Sequence, residues 1–515
     1  MASASKPPLN SSAPKQLRPI LGWRSVLALL PLAGLLAWAT IRVLEAGFIN
    51  AEALSRWAKV LGLAVSDAGR FENLGVMSPQ VPVHLLMPFY YIPGLRQGAA
   101  PYLFSCLLGA LLLALWYGQL ARRAVPRWAR CVAVLLVAAH PFFLWLATSG
   151  SKLIISLFLH FALATLLARI ISGLEGRQHI LFAFVLVMGF LTDERFLYVF
   201  LLLVPLMPFV MPRRMLLKSP VSFYVVACTP MLFSFLSWAY LNWVFYRDAW
   251  QFLVGQESEF GAALQQAPFT PWLGQYGGQF LAPLGVAAAT LVLAFPAILL
   301  LAWRNRQDRE FRKILLVCMA IGVGTTTLGT ATRTLTHPLE TSFVAISYTM
   351  ALISLEAHRN THSRNWALLA TLALGLPGGW AVFTWIPTQE QSQWRSALFY
   401  RETPSARFTS ELALGDWLRE NRQPTMIDDR LAYPAVVARG NAEGLLLPYS
   451  EGFQQTIRNR RLSVPQVAVP DPRHGDGFKD SINNALPDLY PSGAPGYRLV
   501  YDHAHWRVYR QRKQP

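Results

Sequence analysis

The sequence predicts an all-α polytopic membrane domain of about eleven transmembrane helices, followed by a C-terminal extracytoplasmic α+β domain. Three observations carry that prediction. Hydrophobic residues fill 53% of 515 positions against 14% charged, and they fall in long blocks rather than in one soluble core's worth of short runs. The formal net charge of +18 sits in short clusters between those blocks, where retention of basic loops on the cytoplasmic side explains it better than nucleic-acid binding does. From residue 388 onward the chain turns polar and rich in Pro and Gly.

Residues 1–21 are polar and Pro-rich and lead into an apolar segment long enough to span, so they read as a disordered cytoplasmic tail, not as a cleavable signal peptide. The transmembrane domain covers 22–387, with candidate spans near 22–44, 101–121, 131–148, 153–172, 179–192, 196–211, 220–244, 284–303, 314–331, 338–355 and 365–386. With Lys6, Lys15 and Arg18 inside, alternation sends the clusters at 122–130, 213–218 and 304–313 to the cytoplasm, as the basic-loop rule requires.

The stretch GFLTDERFLYV, residues 189–199, decides the parity. One long helix through Asp193, Glu194 and Arg195 would invert everything downstream and push RNRQDREFRK outside. A hairpin turning at Asp193 keeps the basic loops inside. Its first arm, about 14 residues, reaches only about 21 Å against ~30 Å of hydrocarbon, so the turn is expected to lie recessed below the outer surface. Charges at that depth cost roughly 2.5 kcal/mol each unless they pair or line a wet cavity. The bland reading is a turn cap in which Arg195 neutralises the carboxylates.

The outer loops 45–100 and 245–283, the TSGSK turn with Lys152, ATRTLTHPLE at 331–340 and the domain 388–515 then share one side. INAEALSRWAKVLGLA has the period of an amphipathic helix on the membrane surface, its charges solvated. Trp57, Trp145, Trp250, Trp272 and Trp385 are expected as interfacial anchors. In the tail, TSELALGDWLRENRQ reads as a helix and YRLVYDHAHWRVYRQ as a hairpin turning at Asp502 to Ala504. Cys106, Cys131, Cys228 and Cys318 lie in apolar segments, so no disulfide framework is expected.

An outward cavity of carboxylates and cations suits a hydrophilic acceptor meeting a lipid-borne, phosphate-activated donor. Sugar transfer from a lipid phosphosugar needs a carboxylate to take the acceptor hydroxyl proton and cations to hold the departing phosphate. Lys152, Arg195, Arg247, Arg333 and His337 are the available cations or donors, and Glu52, Asp67, Glu72, Asp193 and Glu194 the available carboxylates. No nucleotide-binding glycine motif sits in a strand-turn-helix context. Asp193 and Glu194 lack an obvious third ligand, so no metal or other cofactor is expected to be required.

FENLGVMSPQVPVHLLMPFYYIP, HPFFLWLATSGSKLIISL, GFLTDERFLYVFLLLVPL and LNWVFYRDAWQFL, in that order and sidedness, resemble the GT-C superfamily of bacterial polytopic glycosyltransferases. The resemblance covers the membrane part and, more loosely, the tail. It implies inverting transfer of a hexose or pentose from a polyprenyl-phosphate sugar to a glycan, lipid or protein acceptor, on the extracytoplasmic face of the bacterial cytoplasmic membrane. The implied base is an Asp or Glu of the first outer loop: Glu72 first, then Asp67 and Glu52. Lys152, Asp193, Glu194, Arg195, Arg333 and His337 would hold substrate. The chain departs from the family in lacking an acidic pair just after the first span, in reading LTDER where relatives often read L-T-R-x-E, and in placing Lys152 where they carry an acid.

Rival classes are a polysaccharide polymerase or ligase, a transporter, and a non-catalytic subunit of a glycan assembly complex. A transporter predicts broken helices in matching halves and charges at mid-bilayer, and no internal repeat is visible.

Overall fold

The structure, a computed structural model, describes residues 23–65, 80–123, 125–171, 177–211, 220–255, 278–332, 334–335, 342–357, 362–385, 387–401, 408–448, 450–475 and 477–512. The helical body comprises α1 (Trp23–Glu45), α2 (Ala51–Val65), α3 (Gln80–Tyr90), α4 (Ala100–Arg122), α5 (Arg127–Ala138), α6 (Pro141–Thr148), α7 (Leu153–Ile171), α8 (Arg177–Phe190) and α9 (Phe196–Val210). It continues through α10 (Pro220–Tyr246), α11 (Gly278–Ala294), α12 (Pro296–Arg304), α13 (Arg309–Ala331), α14 (Val344–Glu356), α15 (His362–Trp385) and α16 (Gln389–Phe399). Among the described residues five helices are long and apolar enough to cross a membrane, or seven if each of two bent pairs counts as one span. Phe233, Leu236 and Tyr240 of α10 are 70%, 63% and 61% exposed, an apolar belt that suits lipid and not water. The chain is a multi-pass membrane protein.

Two blocks expected as straight spans are broken. Pro141 and Pro296 each open a helix, and the residue before each, His140 and Phe295, leaves the helical region, as the clash with a following proline ring demands. The pairs α5/α6 and α11/α12 bend by 71° and 83°. The two breaks meet: the rings of His140 and Phe295 stack at 4.8 Å, and His140 Nε2 lies 3.2 Å from the Ala294 carbonyl that the break frees. Glycines of α15 admit this junction. A Cβ at Gly378 would collide with the Leu293 carbonyl, and one at Gly379 would stand 2.7 Å from His140 Nε2.

The hairpin at 191–195 forms as expected, between α8 and α9. Phe196 folds its ring into the space a side chain at Gly189 would need. Thr192 and Asp193 both donate their N–H groups to the Gly189 carbonyl, at 3.0 and 2.8 Å, closing the turn.

The tail forms a five-stranded mixed sheet of order β2-β1-β3-β5-β4, with β1 (Thr425–Met426), β2 (Leu445–Leu446), β3 (Gln466–Pro470), β4 (Tyr497–His503) and β5 (Trp506–Gln511). β1 runs parallel to β2 and β3, while β5 is antiparallel to β3 and β4. The hairpin turns at Ala504 and His505, slightly later than the sequence suggests, with Ala504 at φ 50°. Its longer helices are α17 (Thr409–Glu420), α18 (Asp429–Arg439) and α19 (Glu451–Asn459), and a short one follows at Ser481–Ala485. Strand alternation splits the apolar residues: Ala468 and Val508 face α17 and α18, Val467, Val469 and Tyr509 face the opposite core.

The first of those cores does not belong to the tail alone. Leu54, Trp57 and Leu61 of α2 and Val83 and Leu86 of α3 pack with Leu414, Val436, Val437 and Trp506. α2 is therefore covered from both sides, which corrects the expectation of a membrane-surface helix with solvated charges: Arg56 is buried. Trp57 and Trp145 are likewise buried packing residues, whereas Trp250 and Trp385 are exposed as anchors would be; Trp272 lies outside the described residues. Trp57 Nε1 donates to the Arg96 carbonyl at 2.8 Å. α16 packs into the helical body, its Trp394 Nε1 donating to Thr148 Oγ1 at 2.9 Å.

Candidate active site

The site is built where α2 meets the TSGSK turn. Asn50 Oδ1 accepts the Ala53 N–H at 2.9 Å and so starts α2, which sets Glu52 in its first turn. Gly150 takes φ 75°, and a Cβ there would stand 3.1 Å from Ala53 Cβ and 3.3 Å from Tyr102, so only glycine lets the turn lie flush on α2.

One hydroxyl donor and two cations then converge on Glu52. Ser151 Oγ donates to Glu52 Oε2 at 3.3 Å, Lys152 Nζ lies 3.8 Å from Oε1, and Arg56 Nη2 lies 3.9 Å from Oε2. Arg56 is fixed by donating to the Gly150 carbonyl at 2.8 Å. Lys152 and Arg56 are 2% and 6% exposed, while the Glu52 side chain keeps 32% of its surface open. The result is a carboxylate whose Oε1 is buried beside Lys152 while the side chain as a whole keeps about a third of its surface open.

Ser151 also accepts the Leu153 N–H at 3.2 Å and caps α7. From there Lys152, Ser156 and His160 recur every four residues along one face of that helix. Ser156 Oγ donates to Asp193 Oδ2 at 3.4 Å, one turn below Lys152. Asp193 Oδ1 in turn accepts the Arg195 N–H at 3.0 Å and Arg195 Nε at 2.9 Å. Asp193, Glu194 and Arg195 are all buried, at 3%, 1% and 7% exposure, and the Asp193–Arg195 pair supplies the internal neutralisation that a recessed turn needs.

Other loops close on the same turn. Val81 at the start of α3 donates its N–H to the Leu191 carbonyl at 3.0 Å. Tyr198 Oη lies 2.7 Å from both Thr332 Oγ1 and Thr334 Oγ1, drawing the end of α13 to the first turn of α9.

Of the residues expected from sequence, Glu52, Lys152, Asp193, Glu194 and Arg195 are thus gathered at the head of α7. Asp67, Glu72, Arg333 and His337 lie outside the described residues. Arg247 takes φ 60°, and Asp248 Oδ1 accepts the Trp250 N–H at 2.9 Å. Arg56, Ser151 and Ser156 escaped the sequence reading. The legible trace was spacing, since Arg56 follows Glu52 and Ser156 follows Lys152 by one helical turn. Among the described residues no three His, Cys, Asp or Glu side chains group to hold a metal ion.

No family model matches the chain, and neither does any curated protein. Among solved structures it is similar to ArnT from Cupriavidus metallidurans bound to undecaprenyl phosphate, with a TM-score of 0.55 at 12% identity over 95% of this chain and 98% of that one. The oligosaccharyltransferase of Archaeoglobus fulgidus in its apo form gives 0.41 at 14% identity over 95% and 74%. That first alignment takes in nearly the whole of both chains, so the chain shares the fold of that structure.

Proposed function

We propose that the chain is a membrane glycosyltransferase that moves a sugar from a polyprenyl-phosphate donor to a glycan, lipid or protein acceptor, with inversion, on the face of the membrane that carries the C-terminal domain. The observation that carries this reading is the partly open Glu52 side chain beside two buried cations, one helical turn from the Asp193–Arg195 pair. The likeness in fold to an enzyme described as bound to undecaprenyl phosphate supports the donor class.

In this reading a carboxylate of the first loop, Glu72, Asp67 or Glu52, accepts the acceptor's hydroxyl proton as the oxygen attacks the anomeric carbon. The bond from that carbon to the phosphate oxygen breaks, the oxygen keeps both electrons, and the phosphate leaves attached to the polyprenyl chain. Lys152, Arg195, Arg333 and His337 stabilise the charge growing on that phosphate, while Asp193 and Glu194 orient hydroxyls of donor or acceptor. Lys152 and Arg56 also hold Glu52 in place. A transporter reading is less well supported: the two broken helices meet at a single buried histidine, with no acidic or basic chain among the described residues lining that junction.

The test is an in-membrane assay with a panel of polyprenyl-phosphate sugars, comparing the parent with Glu72→Gln, Asp67→Asn and Glu52→Gln. Consumption of one donor, slowed by at least one substitution, is expected. A panel left untouched, or three variants as fast as the parent, sinks the catalytic reading and leaves a non-catalytic subunit.

A further inference from the structure

At one end of the C-terminal sheet, the start of β3 and β4 and the finish of β5 gather six arginines. Segments 458–466, 493–499 and 508–512 contain Arg458, Arg460, Arg461, Arg498, Arg510 and Arg512 and not one Asp or Glu. The register brings them together: β3 begins where β5 ends, with Gln466 opposite Arg510, and β4 begins there too, with Arg498 directly opposite Arg510. Arg512 donates its N–H to the Gly496 carbonyl at 2.7 Å, which ties the last of the group to the start of β4. All but the half-buried Arg510 are exposed, and none has a carboxylate partner among the described residues.

Folding gives no reason for this arrangement. Like charges directly across an antiparallel pair oppose each other. At its other end the same hairpin pairs Arg507 with Asp502 at 3.3 Å, so the sequence supplies an acid where only stability is at stake. A cluster left without one points to an anion from outside the chain.

Position says which anion. Because β1 and β2 are parallel, α18 returns antiparallel to them, and its C-terminus lies at this same end of the sheet. There Gly440 approaches Gln97, a Cβ on it standing 3.8 Å from Gln97 Cγ, and Val437 packs on Gly98. Residues 97 and 98 lie just ahead of α4, a helix fit to cross the membrane. Their loop carries the apolar tips Tyr91 and Ile92, 74% and 49% exposed, and Arg96 with its guanidinium 4.6 Å over the Tyr90 ring. Exposed aromatic and basic residues beside a span are what a headgroup layer attracts.

We infer that the arginine end of the C-terminal sheet docks on the anionic phospholipid headgroups of the membrane that holds the helical body. The inference does not depend on sugar transfer. It makes lipid charge a determinant of how the C-terminal domain is seated over α2.

The test is hydrogen exchange on the full chain in nanodiscs of phosphatidylglycerol-rich or pure phosphatidylcholine bilayers, for the parent and for a variant with Arg460→Gln, Arg461→Gln and Arg512→Gln, all outside the strands. In the parent, exchange at 458–466 and 495–498 should slow by about tenfold in the anionic bilayer, and molar salt should abolish the effect. The variant should lose the protection while keeping parental exchange in β3 and β5. Equal exchange in the two bilayers overturns the inference. So does protection that survives the triple substitution, or protection conferred by a soluble polyanion such as polyphosphate and not by the anionic bilayer.

Discussion

Glu52 Oε1 and Lys152 Nζ stand 3.8 Å apart, joining the first turn of α2 to the head of α7 across a glycine turn. Lys152 is almost wholly enclosed, so its charge acts through a low-dielectric path on whatever anion reaches the open part of Glu52. Lys152→Met, which keeps volume and removes charge, is expected to slow sugar transfer by at least about tenfold with an unchanged elution profile. Steady-state assay of purified variant in lipid checks this. A variant with parental rates would show the lysine to be structural.

The Asp193–Arg195 pair yields a stability prediction. Removing one partner of a buried pair leaves an uncompensated charge, at a cost of about 3–5 kcal/mol, whereas removing both can be nearly neutral. Asp193→Asn should therefore lower the apparent thermal midpoint more than the double change Asp193→Asn with Arg195→Gln. Light-scattering melts in detergent rank the two. Equal loss in both would mean that the pair is not the chief support of the turn.

The junction of the broken helices predicts a sharp contrast among glycines. Gly378→Ala forces a methyl group onto the Leu293 carbonyl of a packed backbone and should cost roughly 1–3 kcal/mol or prevent assembly. Gly285 in α11 has nothing within 4 Å of its would-be Cβ, so Gly285→Ala should be tolerated or slightly stabilising. Yield of folded protein after membrane extraction separates them.

The C-terminal domain carries a pH-dependent element. Asp480 caps a short helix by accepting the Asn483 N–H at 2.7 Å, while its Oδ2 is buried without a partner. Burial, and then the charge of Asp428, push its carboxyl up to about 8. An acid whose folded pKa is raised contributes stability that is complete below its unfolded value, near 4, and lost as pH rises through about 8. The domain should therefore loosen progressively between about pH 4 and 8 and level off above, read as faster exchange at 477–486, and Asp480→Asn should flatten that dependence. An unchanged slope in the variant would place the effect elsewhere.

The sequence by itself determined the helical body, the hairpin at Asp193 and a small α+β fold at the C-terminal end, whereas the stretch just after residue 388 packs into the helical body as α16. Each rests on something local. Long apolar blocks call for lipid, three adjacent charges between two apolar arms favour a turn over a buried mid-span, and alternation over YRLVYDHAHWRVYRQ reads as a hairpin. Clustering of Glu52, Lys152, Asp193 and Arg195 near one face was also readable, because sidedness follows from the basic loops.

Tertiary structure alone decided the contacts that give those residues their properties. The period of α2 marks one apolar stripe, and nothing in it reveals that Val436, Val437 and Trp506, from the far end of the chain, cover the helix and bury Arg56 against the Gly150 carbonyl. Nor could hydropathy place His140 on Phe295, since Pro141 and Pro296 announce two bends but not that the bends meet. Composition and period report what each segment must bury. Which distant segment buries it is settled only when the packed helices, the glycine gaps between them and the sheet above find a single arrangement that leaves no side chain without room.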